Sequence, residues 1–133
     1  MTIVIDASIA AAFVLPDEQS DIADKALRYL ISDVGFVPSL FWHEIRGLLV
    51  ASERRRRISA DEIAVFLVQL RSLAVHDSGA GDDHEVLRLS RAHGLTAYDA
   101  AYLALALWER APLATTDKNL RAAAAREGAA LFQ

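Results

Sequence analysis

Short apolar runs and stretches of helical period take turns along this chain, the alternation expected when each strand is followed by one or more helices. Thr2 to Ile5 is brief, β-branched and bounded by Asp6, which reads as a buried strand. Asp6-Ala7-Ser8 then turns into a short helix that Pro16 stops. From Asp17 through Leu30 the positions Ile22, Ala23, Ala26, Leu27 and Leu30 recur at helical spacing and predict an amphipathic helix. Gly35-Phe36-Val37-Pro38 predicts a second strand, and Ser39 the N-cap of a helix running to about Arg56 with Glu44 in its second turn. Ser59 followed three residues on by Glu62 is a capping box, opening a helix with Ile63, Phe66, Leu67 and Leu70 on one face.

Leu73 to His76 predicts a weak third strand, and the loop from Asp77 to Asp82 leads to a helix that ends near His93, with Gly94 closing it. Thr96 and Asp99 repeat the capping-box pattern at the head of a helix that is apolar nearly all round, so it should be the central one. Leu113 to Thr115 predicts a fourth strand, Asp117 to Glu127 a helix closed by Gly128, and Ala130 to Phe132 a candidate final strand. Strands alternating with helices imply an α/β fold: a three-layer α/β/α sandwich around a central parallel sheet of four to five short strands. No repeat, linker or low-complexity tract interrupts it, so residues 1–133 are expected to form a single domain.

Composition narrows the chemistry. The chain has 133 residues, enough to bury roughly two-thirds of its unfolded surface without staples. With no cysteine, disulfides, thiolate metal sites and cysteine nucleophiles are excluded, and a cytoplasmic setting is the default expectation. The apolar run at the start is too short for a signal peptide or a membrane span, and the stretch from Ala100 to Trp108 is too short to cross a bilayer. A net charge of −4 means that any nucleic-acid binding must come from a local patch.

Four acids stand where such a sheet would gather them. Asp6 and Asp117 follow strand candidates, and Glu44 and Asp99 lie near the starts of two helices. Each has a local role open to it: Asp99 as the end of a capping box, Asp117 as an N-cap, Glu44 as a solvent-facing residue. Asp6 is the harder one to explain locally, because it follows a buried strand with no basic residue nearby in sequence. Ligand sites of open α/β sheets lie at the carboxyl ends of the strands, which favours a shared site. Gathered carboxylates repel one another unless a hard cation holds them together.

The residues also resemble a known family. Ile3-Val4-Ile5-Asp6-Ala7-Ser8, Pro38-Ser39 leading to Glu44, the segment from Leu95 to Ala104 with Thr96-Ala97-Tyr98-Asp99 inside it, and Pro112 to Leu120 with Thr115-Thr116-Asp117 are similar to the four signature blocks of PIN-domain ribonucleases, above all the VapC-type toxins of toxin–antitoxin pairs. The resemblance spans essentially the whole chain and implies a PIN-like fold and a metal-dependent endoribonuclease that cleaves single-stranded or structured RNA. It implies that the catalytic acids Asp6, Glu44, Asp99 and Asp117 bind Mg²⁺ or Mn²⁺. Asp6 and Asp99 would be the main ligands, with Glu44 and Asp117 completing the pocket directly or through water. Ser8 and Thr115 would orient waters or carboxylates from behind. It also implies a cognate antitoxin covering the pocket, and a homodimer.

The chemistry agrees with that carry-over. Phosphodiester hydrolysis needs an activated water and neutralised phosphate charge, and oxygen-only ligands favour Mg²⁺ or Mn²⁺ over zinc. In one respect the chain departs from the pattern: VapC-type sequences commonly carry Asn three residues after the helix glutamate, and Gly47 stands there. Arg54-Arg55-Arg56-Arg57, with Arg46 upstream, is the one concentrated positive patch, open both to RNA phosphate contact and to a role as a solvated helix end. Phe41-Trp42 fits the core or a dimer interface, and the four histidines form no spaced ligand pair. Two rivals remain at this level. One is a non-catalytic metal-binding module on the same fold, and the other a small phosphohydrolase or receiver-like domain.

Overall fold

The structure is a computed structural model and describes residues 2–133. Four strands, β1 (Thr2–Ile5), β2 (Val34–Val37), β3 (Val75–Asp77) and β4 (Leu113–Ala114), form one sheet in the order β3-β2-β1-β4. Every neighbouring pair is parallel, with Val4 opposite both Phe36 and Leu113. Parallel neighbours need crossovers, and each crossover here holds two helices. α1 (Ala7–Val14) and α2 (Asp21–Ser32) join β1 to β2, α3 (Leu40–Arg54) and α4 (Ala60–Ser72) join β2 to β3, and α5 (Asp83–His93) and α6 (Ala97–Glu109) lead to β4. α7 (Lys118–Arg126) follows the sheet.

Burial follows from this order. β1 has a neighbour on each side and helices packed against it, so Ile3, Val4 and Ile5 are fully enclosed. α6 buries Ala100 to Ala104 and Ala106, as its nearly unbroken apolar surface predicts, and only its flanks expose Tyr98 and Trp108. In β2 a Cβ at Gly35 would come within 2.6 Å of Leu30 Cδ2, so any larger residue there would make the Leu30 side chain of α2 shift.

The ends of the elements are set by short polar residues. Ser59 accepts the Glu62 N–H while Glu62 accepts the Ser59 N–H, both at 3.1 Å, the reciprocal box read from the sequence. Gly94 ends α5 at a φ of 63°, in the left-handed region. Three expectations need correction. Pro16 to Glu18 make a separate 3₁₀ turn, so α2 starts at Asp21 under a Ser20 cap and not at Asp17. Ser39 has a helical backbone and makes no cap bond, its hydroxyl going instead to Asp77 at 3.1 Å. The segment from Ala130 to Phe132 contributes a single parallel bridge, Leu113 to Leu131, so the sheet has four strands.

The chain runs from β1 outward to β2 and β3 and then returns to the far side of β1 to make β4. The order therefore reverses between β1 and β4, and at such a reversal the loops leaving the two strands diverge to opposite faces and open a crevice at the carboxyl edge. Asp6 leaves β1 there, and Thr115 to Asp117 leave β4 beside it.

Candidate active site

Asp6 stands at the floor of that crevice. It is the N-cap of α1: its Oδ1 accepts the N–H groups of Ser8 at 3.1 Å and Ile9 at 3.3 Å and the Ser8 hydroxyl at 2.5 Å. Its Oδ2 accepts the hydroxyl of Thr115 from the neighbouring strand end. Only 5% of Asp6 is exposed, and burial pushes its carboxyl up to about 6 against the pull of Ser8, Thr115 and the Ile9 N–H, with the negative charge of Asp99 adding to the rise.

Thr115 is also the link to the fourth acid. Its Oγ1 accepts the Asp117 N–H at 3.0 Å, and Asp117 in turn caps α7 by accepting the Leu120 N–H at 2.8 Å. Ser8 Oγ takes the Thr116 N–H at 3.1 Å and so ties the loop after β4 to the start of α1. The two hydroxyls expected to stand behind the acids are thus in contact with Asp6 and with the segment that carries Asp117.

Asp99 and Glu44 come from the helices. Thr96 caps α6 by accepting the Asp99 N–H at 3.1 Å, but the Asp99 carboxylate does not return the bond to the Thr96 N–H, so the second capping box is only half formed. The Asp99 side chain, half-buried, has its carboxyl raised by burial and then by the charge of Asp117, with the Thr96 hydroxyl opposing. Glu44, half-buried on α3, accepts a 2.5 Å hydrogen bond from the hydroxyl of Tyr102 on α6. Burial raises the Glu44 carboxyl, the Tyr102 bond lowers it and the charge of Asp99 raises it again.

All four acids therefore meet in one field: Asp99 acts on Asp6 and on Glu44, and Asp117 acts on Asp99. They grade from buried Asp6 through half-buried Glu44 and Asp99 to exposed Asp117, so the site is open to solvent on one side. A cavity of 630 Å³ lies elsewhere, between the loop around Gly79 and the α6 face of Ala101, Ala104 and Trp108, and none of the four acids lines it.

Among the described residues no three acidic or imidazole groups converge into a finished ion cage. Asp6 is turned to Ser8 and Thr115, and Glu44 to Tyr102. The donor set nevertheless fits a hard divalent cation. It is all oxygen, and three of the four carboxyls hold protons more tightly than usual, first because burial penalises their charge and then because of a neighbouring acid, a repulsion that a bound cation would offset.

Residues 3–126 match the model of the PIN domain. The chain belongs to the PIN-domain family. It is 34% identical over 124 residues to Ribonuclease VapC3 of Pyrobaculum aerophilum, covering 90% of this chain and 92% of that protein. It also superimposes on the crystal structure of PAE2754 from Pyrobaculum aerophilum with a TM-score of 0.67 at 26% identity, over 92% of this chain and 87% of that one. The PIN family and VapC likeness read from the four sequence blocks are thus borne out, as is the α/β sandwich.

Other candidates fall outside the acidic edge. Gly47 is exposed in α3 and a Cβ there would meet nothing within 4 Å, so no close backbone contact demands glycine. All four arginines are exposed, but Arg57 is committed to an ion pair with Asp17 at 2.6 Å and lies 3.8 Å from Glu18, which sets Arg54, Arg55 and Arg56 apart from it. Arg54 lies ten residues after Glu44, about 15 Å along α3. Phe41 is buried in the core, and Trp42 is covered by the Arg71 guanidinium 3.6 Å from its ring centre. His93 contacts Glu127 at 2.6 Å, away from the acids.

The residue the sequence reading missed is Tyr102. It sits three positions after Asp99 on the same side of α6, the buried one of that helix's two tyrosines, and that spacing was the available signal.

Proposed function

We propose that this PIN-domain protein is a Mg²⁺-dependent endoribonuclease, with Mn²⁺ as a substitute ion, and the toxin of a type II toxin–antitoxin pair. The observation that carries the reading is the meeting of Asp6, Glu44, Asp99 and Asp117 in one electrostatic field at the switch point of the sheet. The likeness to Ribonuclease VapC3 supports ribonuclease activity in particular. Asp6 and Asp99 would hold the ion, with Glu44 and Asp117 joining directly or through water. Once bound, the ion supplies an activated water and neutralises charge on the phosphate under attack.

The chain's own residues do the positioning. Ser8 and Thr115 fix both oxygens of Asp6 and keep the ends of β1 and β4 in register. Without a cation the four acids repel an RNA phosphate, so the same pocket that attracts the ion excludes substrate until the ion is present. Arg54, Arg55 and Arg56 offer the RNA backbone a positive contact beyond the pocket. A cognate antitoxin would inhibit by covering the acidic edge, and the working form would be a cytoplasmic homodimer. Among the described residues no helix is long and apolar enough to cross a membrane.

The test is cleavage of a panel of structured and single-stranded RNAs by the purified protein with Mg²⁺, with Mn²⁺ and with chelator. Cleavage that requires the ion and is lost in Asp99→Asn is the expected result. Intact RNA under both ions would remove the catalytic reading and leave a metal-binding module.

A further inference from the structure

Tyr102 is enclosed in the core, with 1% of its surface exposed, yet its hydroxyl reaches a carboxylate 58 positions away, Glu44 Oε1 at 2.5 Å. A buried phenol left without a partner is destabilising, so the bond satisfies Tyr102. What it does to Glu44 is more specific. A glutamate has three rotatable bonds, and a half-buried one at an open edge can turn toward solvent. The Tyr102 ring cannot follow, because it is buried in the hydrophobic core. The hydrogen bond therefore fastens one Glu44 oxygen to the rigid centre of the fold, on the side of α6 that also carries Asp99.

The chemical character of the donor matters as much as its position. A lysine or arginine in this place would hold Glu44 equally well but would neutralise it, and the field that draws a cation would weaken. The phenol is held firmly in its neutral form by burial, by the bond to Glu44 and by the negative charges of Asp6 and Asp99. It orients a carboxylate without adding positive charge.

We propose that Tyr102 is a positioning residue for the acidic site: by binding one oxygen of Glu44 it holds that carboxylate at the acidic edge, where its other oxygen would be free to help hold a divalent cation, while leaving the charge of the site intact. The inference rests on the proposed metal-dependent nuclease, and it extends that reading to a residue that touches neither the ion nor the RNA.

The experiment measures Mn²⁺ affinity by electron paramagnetic resonance or calorimetry and, separately, steady-state RNA cleavage, for the parent, Tyr102→Phe, Glu44→Ala and the double variant. Tyr102→Phe keeps the ring and should fold as the parent does, which circular dichroism and a thermal melt verify. The expected result is about a tenfold loss of Mn²⁺ affinity, within the range for outer-shell partners of metal ligands. kcat should fall with it, and KM for RNA should stay unchanged at saturating ion. In the Glu44→Ala background the same tyrosine change should have no further effect on affinity, because Tyr102 acts through Glu44. Parent-like Mn²⁺ binding by Tyr102→Phe, or an equal loss with and without Glu44, would overturn the proposal while leaving the nuclease reading in place. A parent that binds no Mn²⁺ would overturn both.

Discussion

Thr115 donates its hydroxyl to Asp6 Oδ2 and accepts the Asp117 N–H at 3.0 Å on the same oxygen, so one side chain joins two of the four acids across the β1–β4 boundary. With a lone pair committed to Asp117, the hydroxyl proton is aimed at Asp6. The neighbour of Asp6 thus donates, and the site is built to hold Asp6 as an ionised acceptor even though burial opposes the charge.

Removing that acceptor should abolish activity. Asp6→Asn and Asp99→Asn are each expected to lower Mg²⁺-dependent RNA cleavage by about 100-fold or more, since even outer-shell changes at metal sites cost up to about that factor. In Asp6→Asn one of the two acceptor oxygens becomes an NH2, so either the bond from Thr115 or those from Ser8 and Ile9 lose their acceptor. Single-turnover rates at saturating ion separate this from weakened ion binding. Full activity in either variant would sink the assignment.

The raised carboxyl of Asp6 makes a signed prediction about pH. In the unfolded chain it loses its proton near 3.8, while in the native state it keeps it up to about 6. Between those values the native state binds more protons, so metal-free stability should fall as pH rises through this window. The shift corresponds to about 3 kcal/mol at ~1.4 kcal/mol per unit. Glu44 and Asp99 are raised as well and act in the same direction. Asp17, Glu85 and Glu127 are lowered by their arginine partners, so their contribution is lost only as pH falls below the usual carboxylate range. Melting in chelator from pH 4 to 7 should show the decline, Asp6→Asn should flatten it, and Mg²⁺ should restore stability most at the upper end. A melting temperature that climbs steadily over this range would count against the electrostatic picture.

Much of this was legible without coordinates, and the reason is locality. β1 was readable because a β-branched run ends at an acid, and the Ser59–Glu62 box because both partners lie within one turn. The same locality explains the errors. Ser39 has every local mark of an N-cap, but Asp77, brought alongside by the β2–β3 pairing, takes its hydroxyl. The acids could be suspected of meeting because parallel strands deliver their ends to one edge. That Tyr102 would find Glu44 depends on how α6 packs relative to α3, which no short window of sequence contains.

The basic run should divide in two. Arg54, Arg55 and Arg56 replaced together by glutamine are expected to weaken binding of unrelated RNAs alike and to flatten the salt dependence, as loss of counterion displacement requires. Arg57→Gln alone should leave that slope nearly unchanged and lower stability by no more than about 1 kcal/mol, the usual scale of an exposed ion pair such as Arg57 with Asp17. Filter binding at several salt concentrations, beside thermal melts, tests both halves. A slope that responds to Arg57 and not to the other three would reverse the assignment.

Gly47 offers a test in which stability and activity separate. It is exposed within α3 and a Cβ meets nothing within 4 Å, so Gly47→Ala should stabilise the helix by up to about 1 kcal/mol without strain. Gly47→Asn gives up most of that gain, because asparagine is a weaker helix former, but it places an amide on the face of Glu44, three residues away. If an amide there helps to position water or phosphate, the asparagine variant should cleave RNA faster than both the parent and the alanine variant, whatever the order of their melting temperatures. Equal gains in both variants would trace the effect to a stiffer helix. Unchanged activity in both would mean that the site works with Glu44 alone on this face, and that the glycine reflects neither a catalytic nor a packing demand.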